Sequence, residues 1–344
     1  MKKYFPYLLV ILLLVSATVW FVFNKTTGSV NEQEGDFSVK ETELIAAIDL
    51  SDTENNHVLI SLVNGVWMVN KKYPVRDELI KQLLEAVTRV TSLCPVPTAA
   101  HDNVMRDMLG QHTQVKILDA QGNLLKSYWV GGAAVDGQNT YMLLEIEGKP
   151  AARPHMTYVP GFRGYLSPRY STSEENWRSR VLFNYKPEDI QSLSVNYPVD
   201  PGKSFSINRV GADSFTVSSI NDKYKINAPY EQKYIRQYLA FYSSIFIEAF
   251  DNSNSQRDSI INTVPYCEIK INTTSGSQNV VKMFYMPVSK RSKMQFDAKG
   301  FEMTYDIDHY YASVNNGSDF AIVQYYVMGK LLRAYRDFYF KPGQ

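Results

Sequence analysis

Hydrophobic and polar positions follow different periods along this chain. The N-terminal stretch Tyr4 to Phe23 has no period: it is an uncharged, largely apolar run of 20 residues. At about 1.5 Å per residue a helix of that length spans about 30 Å, the thickness of a bilayer hydrocarbon core. Lys2 and Lys3 precede the run, and aromatic residues stand at both ends (Tyr4, Phe5, Tyr7, then Trp20, Phe21, Phe23). Such flanks predict a single-pass inner-membrane anchor with a cytoplasmic N-terminus and the bulk of the chain in the periplasm. A cleaved signal peptide is the competing reading, against which the run continues through Trp20-Phe21-Val22-Phe23 without small residues.

Beyond the run, 25–43 is polar and aperiodic and reads as a tether. Period-two alternation then begins at Leu44 and returns at Val58–Leu62, where Asn64-Gly65 predicts a hairpin into Val66–Val69. Leu79, Ile80, Leu83, Leu84, Val87 and Val90 recur at helical spacing after Pro74. A short connection around Arg106-Asp107 leads to Val115–Leu118 and Leu125–Val130, a second hairpin.

The same order recurs about 146 to 155 residues later: Ile190–Val195, Phe205–Ile207 with Phe215–Val217, and a helix carrying Tyr234, Ile235, Tyr238, Leu239, Tyr242 and Ile245. Cys267–Ile271 and Val280–Tyr285 follow, and a terminal helix is read through Ile322, Tyr325, Tyr326, Met328, Leu331, Leu332 and Tyr335. The expected fold is α+β: an N-terminal transmembrane helix followed by two related β-β-β-α-β-β modules with mainly antiparallel sheets. The expected divisions are an anchor over 1–24, a tether over 25–43, a first module over 44–187 and a second, divergent one over 188–344. An internal repeat explains the length better than two unrelated domains.

Composition narrows the functional classes. With 36 Lys+Arg against 35 Asp+Glu the formal charge is +1, without the basic surplus of a nucleic-acid binder. Two cysteines, Cys94 and Cys267, are too few for a disulfide scaffold or a four-thiolate zinc site.

Several stretches carry a resemblance: Trp67–Pro74, Pro95–Asn103, Val130-Gly131-Gly132 with Thr140–Leu144, Pro160–Leu166, Trp177–Phe183 and Pro187–Ile190. Together they resemble the bacterial family called domain of unknown function 4340, over roughly residues 44–200. The resemblance implies one N-terminal membrane segment and a periplasmic ectodomain. For some relatives it also implies an accessory place in ABC-type transport systems. It assigns no catalytic residue.

Candidate chemistry is sparse. His57, His101, His112, His155 and His309 are scattered singly. Asp306-Ile307-Asp308-His309 gathers two carboxylates and an imidazole, but in a regular strand residue 309 points away from 306 and 308, and two oxygen ligands do not make a hard-metal site. Gly131-Gly132 and Gly137 read as turns, since no helix start follows them to bind an anion. No cofactor or metal is expected.

The richest segment runs from Arg153 to Arg180. Tyr158, Phe162, Arg163, Tyr165, Leu166, Arg169 and Trp177 combine aromatic and Arg residues on a Pro/Gly-stiffened loop, the composition of a partner-binding hot spot. Phe162, Tyr165 and Leu166 could equally cap the first module's core. The reading is a non-enzymatic periplasmic scaffold or binding protein with an envelope partner, such as a transporter. Its rivals are an envelope hydrolase or glycan-modifying enzyme and a ligand-sensing ectodomain.

Overall fold

The computed structural model describes residues 32–339, and Ser16 before them. The chain divides into two compact units, Met1–Ser179 and Arg180–Gln344.

Alternation builds the first unit's sheet. Strand β1 (Ala47–Asp52) buries Ile48 and Leu50, and β2 (His57–Val63) buries Val58 and Ile60. A two-residue turn joins β2 to β3 (Val66–Val69); Asn64 and Gly65 both take positive φ there (51° and 81°), as a type I′ hairpin requires. After β4 (Tyr73–Pro74), helix α1 (Asp77–Arg89) buries Ile80, Leu83, Ala86 and Val87 as one stripe. Asp77 and Glu78 open that helix and Arg89 closes it, in keeping with its dipole.

Strand β5 (Thr91–Pro95), α2 (Thr98–Gly110), β6 (Thr113–Leu118), β7 (Leu124–Ala133), β8 (Thr140–Ile146), β9 (Lys149–Pro150) and β10 (His155–Tyr158) complete the unit, with a single-turn helix α3 (Glu174–Trp177) near its end. The sheet runs β4-β3-β2-β1-β6-β7-β8-β10-β5, antiparallel throughout, with β9 on β8. Its centre is covered on both faces. Tyr128, Val130, Met142 and Leu144 join the core under α1, while Leu143 meets Val104 and Met108 of α2 on the other face, beside Trp129.

In the second unit β11 (Val181–Phe183) pairs with β15 (Ile245–Phe246). The main sheet contains β12 (Ile190–Asn196), β13 (Phe205–Arg209), β14 (Phe215–Ser219), β16 (Ala249–Phe250), β17 (Cys267–Thr273), β18 (Gln278–Pro287), β19 (Tyr305–Val314) and β20 (Asp319–Gln324). Its order is β14-β13-β12-β17-β18-β19-β20-β16, again antiparallel. Helix α4 (Gln232–Ala240) lays Ile235, Tyr238 and Leu239 on the alternate inward residues of β12 to β14 and β17. Short helices α5 (Arg257–Ile261) and α6 (Tyr325–Met328) are its other helical turns of α type among the described residues. The path β14-β13-β12-β17-β18-β19 matches in order the path β3-β2-β1-β6-β7-β8 of the first unit.

The α+β expectation is corrected. Both units are mostly antiparallel sheet with few helices, and neither follows β-β-β-α-β-β, because α2 and α5 and additional strands intervene. Nor is there a long terminal helix among the described residues: Ile322 lies in β20, and the described residues after it form only single turns. β-branched Ile322 and Val323 suit a pleated strand paired on both sides, by β19 and β16. The expected transmembrane helix has no counterpart among the described residues, where no helix is long and apolar enough to cross a membrane. The run Tyr4–Phe23 lies outside them, Ser16 apart.

Candidate functional site

Val159-Pro160-Gly161-Phe162 opens the Arg/aromatic segment as a tight turn, with the Phe162 amide donating to the Val159 carbonyl (3.0 Å). Pro160 pre-sets the first corner and Gly161 supplies φ +88° at the second, the requirement of a type II turn. The turn presents Phe162 at the surface, 38% exposed, with the Arg169 guanidinium 4.1 Å from its ring centroid. Arg163 and Tyr165 are exposed beside it, Tyr165 by 45%.

The remaining residues of the segment hold this surface in place. Leu166 is fully buried, and its amide donates to the Thr140 hydroxyl (2.6 Å). Ser167 donates to the Gly131 carbonyl (2.5 Å). Arg169 donates to the Glu85 carboxylate (3.0 Å) and the Gln82 carbonyl (3.1 Å) of α1. Trp177 is buried, its indole donating to the Ser171 carbonyl (2.7 Å). Tyr158 is half-buried in β10. Of the seven residues singled out by composition, Phe162, Arg163 and Tyr165 therefore form an exposed face, Arg169 supports it from below, and Leu166 and Trp177 belong to the core.

Tyr165 also borders a cleft of about 530 Å³. Asp52, Thr53 and Glu54 from the β1–β2 turn form one wall, Gln111 to Thr113 another, and Gly131 to Ala133 a third. The segment from Ser167 to Thr172 closes it. The lining is mostly hydroxyl and amide. Asp52 accepts from the amides of Glu54 and Asn56, the Asn56 side chain and the Thr172 hydroxyl. Burial pushes its pKa up, but these four donors outweigh burial and hold the carboxyl below its ordinary value.

His112 stacks on Trp129 with centroids 4.2 Å apart, and its Nδ1 lies 2.7 Å from the Met108 carbonyl. A carbonyl only accepts, so Nδ1 carries the hydrogen and Nε2 is the nitrogen left to meet a ligand. Deep in the wall, Tyr170 and Tyr128 approach within 3.3 Å through their hydroxyls. Burial, partly offset by that bond and by Arg169, pushes Tyr170 up to about 12. The cleft can therefore hold a hydrogen-bonding group against one exposed aromatic ring, with the Asp52 and Glu54 carboxylates in its wall disfavouring an anion.

Gly131 and Gly132 have unlike roles. A Cβ on Gly131 would lie 2.9 Å from Met108 Cγ and 3.2 Å from the Tyr141 carbonyl, whereas one on Gly132 would meet nothing within 4 Å. Gly132 keeps the floor open. Asp52, His112 and Thr172 stand far apart in sequence in weakly patterned stretches, so only their convergence marks them.

The acidic stretch of the second unit behaves differently from a regular strand. Between the Tyr285↔Tyr310 and Pro287↔Tyr305 pairs β19 bulges, and Asp306 turns back to accept from the amides of Asp308 (2.8 Å) and His309 (3.0 Å). The expected geometry is corrected here: His309 comes within 3.3 Å of Asp306 and, through Nε2, within 3.3 Å of Glu248, and Asp308 takes part in neither contact. Among the described residues no group of three or more His, Cys, Asp or Glu is placed to hold a metal ion. Cys94 and Cys267 are both free thiols.

No family model matches the chain, and neither a curated protein nor a solved structure matches it.

Proposed function

We propose that this protein binds an envelope partner without chemistry of its own, as a scaffold or accessory component such as a transporter would use. The apolar run Tyr4–Phe23 attaches it to the membrane, and the described units stand on the periplasmic side. One observation carries the reading: Phe162, Arg163 and Tyr165 are exposed on a segment pinned by buried neighbours. An aromatic and arginine face that is already ordered loses little conformational entropy on binding, which is how hot spots gain affinity. The motif resemblance to membrane-anchored periplasmic proteins points the same way.

The test is site-specific photocrosslinking from position 163 in the full chain in membranes. A discrete adduct that disappears in Tyr165→Ala, with folding unchanged, is the expected result. No adduct from position 163, or one indifferent to Tyr165→Ala, would remove the support.

The cleft favours a second reading, a ligand-sensing unit, because about 530 Å³ falls within the range of small-molecule sites. A thermal-shift screen of neutral polar compounds checks it, since a ligand of the folded state raises the unfolding temperature. Loss of any hit's shift in Tyr165→Ala and His112→Ala would place the ligand there.

A further inference from the structure

Strands β18 and β19 are joined by a projecting arm, residues 288–304, that the partner-binding reading does not use. It is an ordered hairpin. The Val288 amide donates to Thr304, Met303 to Gln295 and Asp297 to Phe301, and Phe296 bridges Glu302. Gly300 (φ +84°) closes the tip, while Asp297 accepts from the amides of Lys299 (2.8 Å) and Phe301 (2.9 Å).

What the hairpin displays is unusual for a water-facing loop. Met294, Phe296 and Phe301 are exposed by 46%, 53% and 69%. Around them stand Lys290, Arg291, Lys293 and Lys299, all exposed, against only Asp297 and Glu302. The four cations make no ion pair among the described residues. Ser292 is buried between Arg291 and Lys293 and hydrogen-bonds Asp306, which fixes the base of the arm and leaves its charged neighbours outside.

At the base the rings change character. Tyr285 and Tyr305 stack with centroids 4.6 Å apart, Tyr266 and Tyr310 adjoin them, and Tyr325 continues the row. Tyr285, Tyr305 and Tyr325 are each partly open to solvent. Phe296, Phe301 and Lys299 thus stand toward the tip, Lys290, Arg291 and Lys293 toward the base, and the tyrosines beneath them. That order matches a lipid surface, with acyl chains met by Phe and Met, anionic headgroups by Lys and Arg, and the interfacial zone by Tyr.

We propose that the 288–304 hairpin docks on an anionic lipid bilayer, inserting Phe296, Phe301 and Met294 between headgroups held by Lys290, Arg291, Lys293 and Lys299. This contact is separate from any attachment through residues 4–23, because it depends on headgroup charge. It also places the second unit's tyrosine row at the membrane interface.

Hydrogen-exchange mass spectrometry on the full chain tests it, in nanodiscs of phosphatidylcholine alone and of phosphatidylcholine with phosphatidylglycerol. The expected result is exchange slowed roughly tenfold or more over 288–304 in the anionic discs only. That protection should fall with added salt, and should be lost in Lys290→Ala/Arg291→Ala/Lys293→Ala and in Phe296→Ser/Phe301→Ser. Equal exchange in the two lipids overturns the proposal without recourse to any variant. Protection by soluble polyglutamate in neutral discs, matching that by anionic lipid, would also overturn it and assign the hairpin to an acidic polypeptide.

Discussion

The Thr172 hydroxyl donates to the Asp52 carboxylate at 2.6 Å across 120 positions of sequence, and this bond ties the Arg/aromatic segment to the β1–β2 turn. Removing the carboxylate strands Thr172, Asn56 and the Glu54 amide together. Asp52→Ala should therefore lower stability by about 1–3 kcal/mol, and Asp52→Asn by less, in urea titrations. The carboxyl is held below its unfolded value of 3.8, so its contribution is present above that value and is lost as pH falls through the folded one. The urea midpoint of the Asn variant should fall less on acidification than that of the parent.

Exposure separates the binding face from its support. Phe162→Ala and Tyr165→Ala should change stability by no more than about 1 kcal/mol while abolishing the position-163 crosslink. Trp177→Ala and Leu166→Ala empty core volume and should lower stability by about 2–5 kcal/mol. Equal destabilisation by all four would mean that the face serves only packing.

Adjacent glycines give a sharper contrast. Gly131→Ala drives a methyl against Met108 and the Tyr141 carbonyl, and should destabilise by about 1–3 kcal/mol. Gly132→Ala meets open space and should be nearly neutral in thermal unfolding. It should nevertheless weaken any ligand that rests on the cleft floor.

His155 sets a pH dependence. It is buried beside Phe37, with Nδ1 2.7 Å from the Ser92 hydroxyl. Burial pushes its pKa down, and the charge of Glu34 offsets this only in part. The folded value being the lower one, its contribution is full above the unfolded value of 6.5 and is lost as pH falls from there through the folded value. Denaturation midpoints should fall between neutral and mildly acidic buffer, and His155→Gln should flatten that fall. A variant as pH-sensitive as the parent would place the titration elsewhere.

Elements that bury one side evenly were legible in the sequence. The alternation of β1 and β2, the Asn64-Gly65 turn and the stripe of α1 needed only local rules. Helix α2 reads in sequence as a connection because just Val104 and Met108 of its 13 residues are buried, too thin a stripe to stand out. Apolar spacing from Ile322 to Tyr335 reads as a helix, yet pairing with β16 and β19 keeps its opening residues in a strand. Strand periodicity puts Asp306 and His309 on opposite faces, and a bulge breaks that periodicity.

By itself the sequence determined where apolar surface had to be buried and which segment concentrates arginine and aromatic rings. These follow from side-chain period, turn chemistry and composition, all local properties. Only the tertiary structure decided that Phe162, Arg163 and Tyr165 face water while Leu166 and Trp177 do not. It alone brought Asp52, His112 and Thr172 to one cleft, and left four cations and three apolar side chains exposed along one hairpin. Burial and convergence depend on strands distant in the chain becoming neighbours, and no local period carries that information.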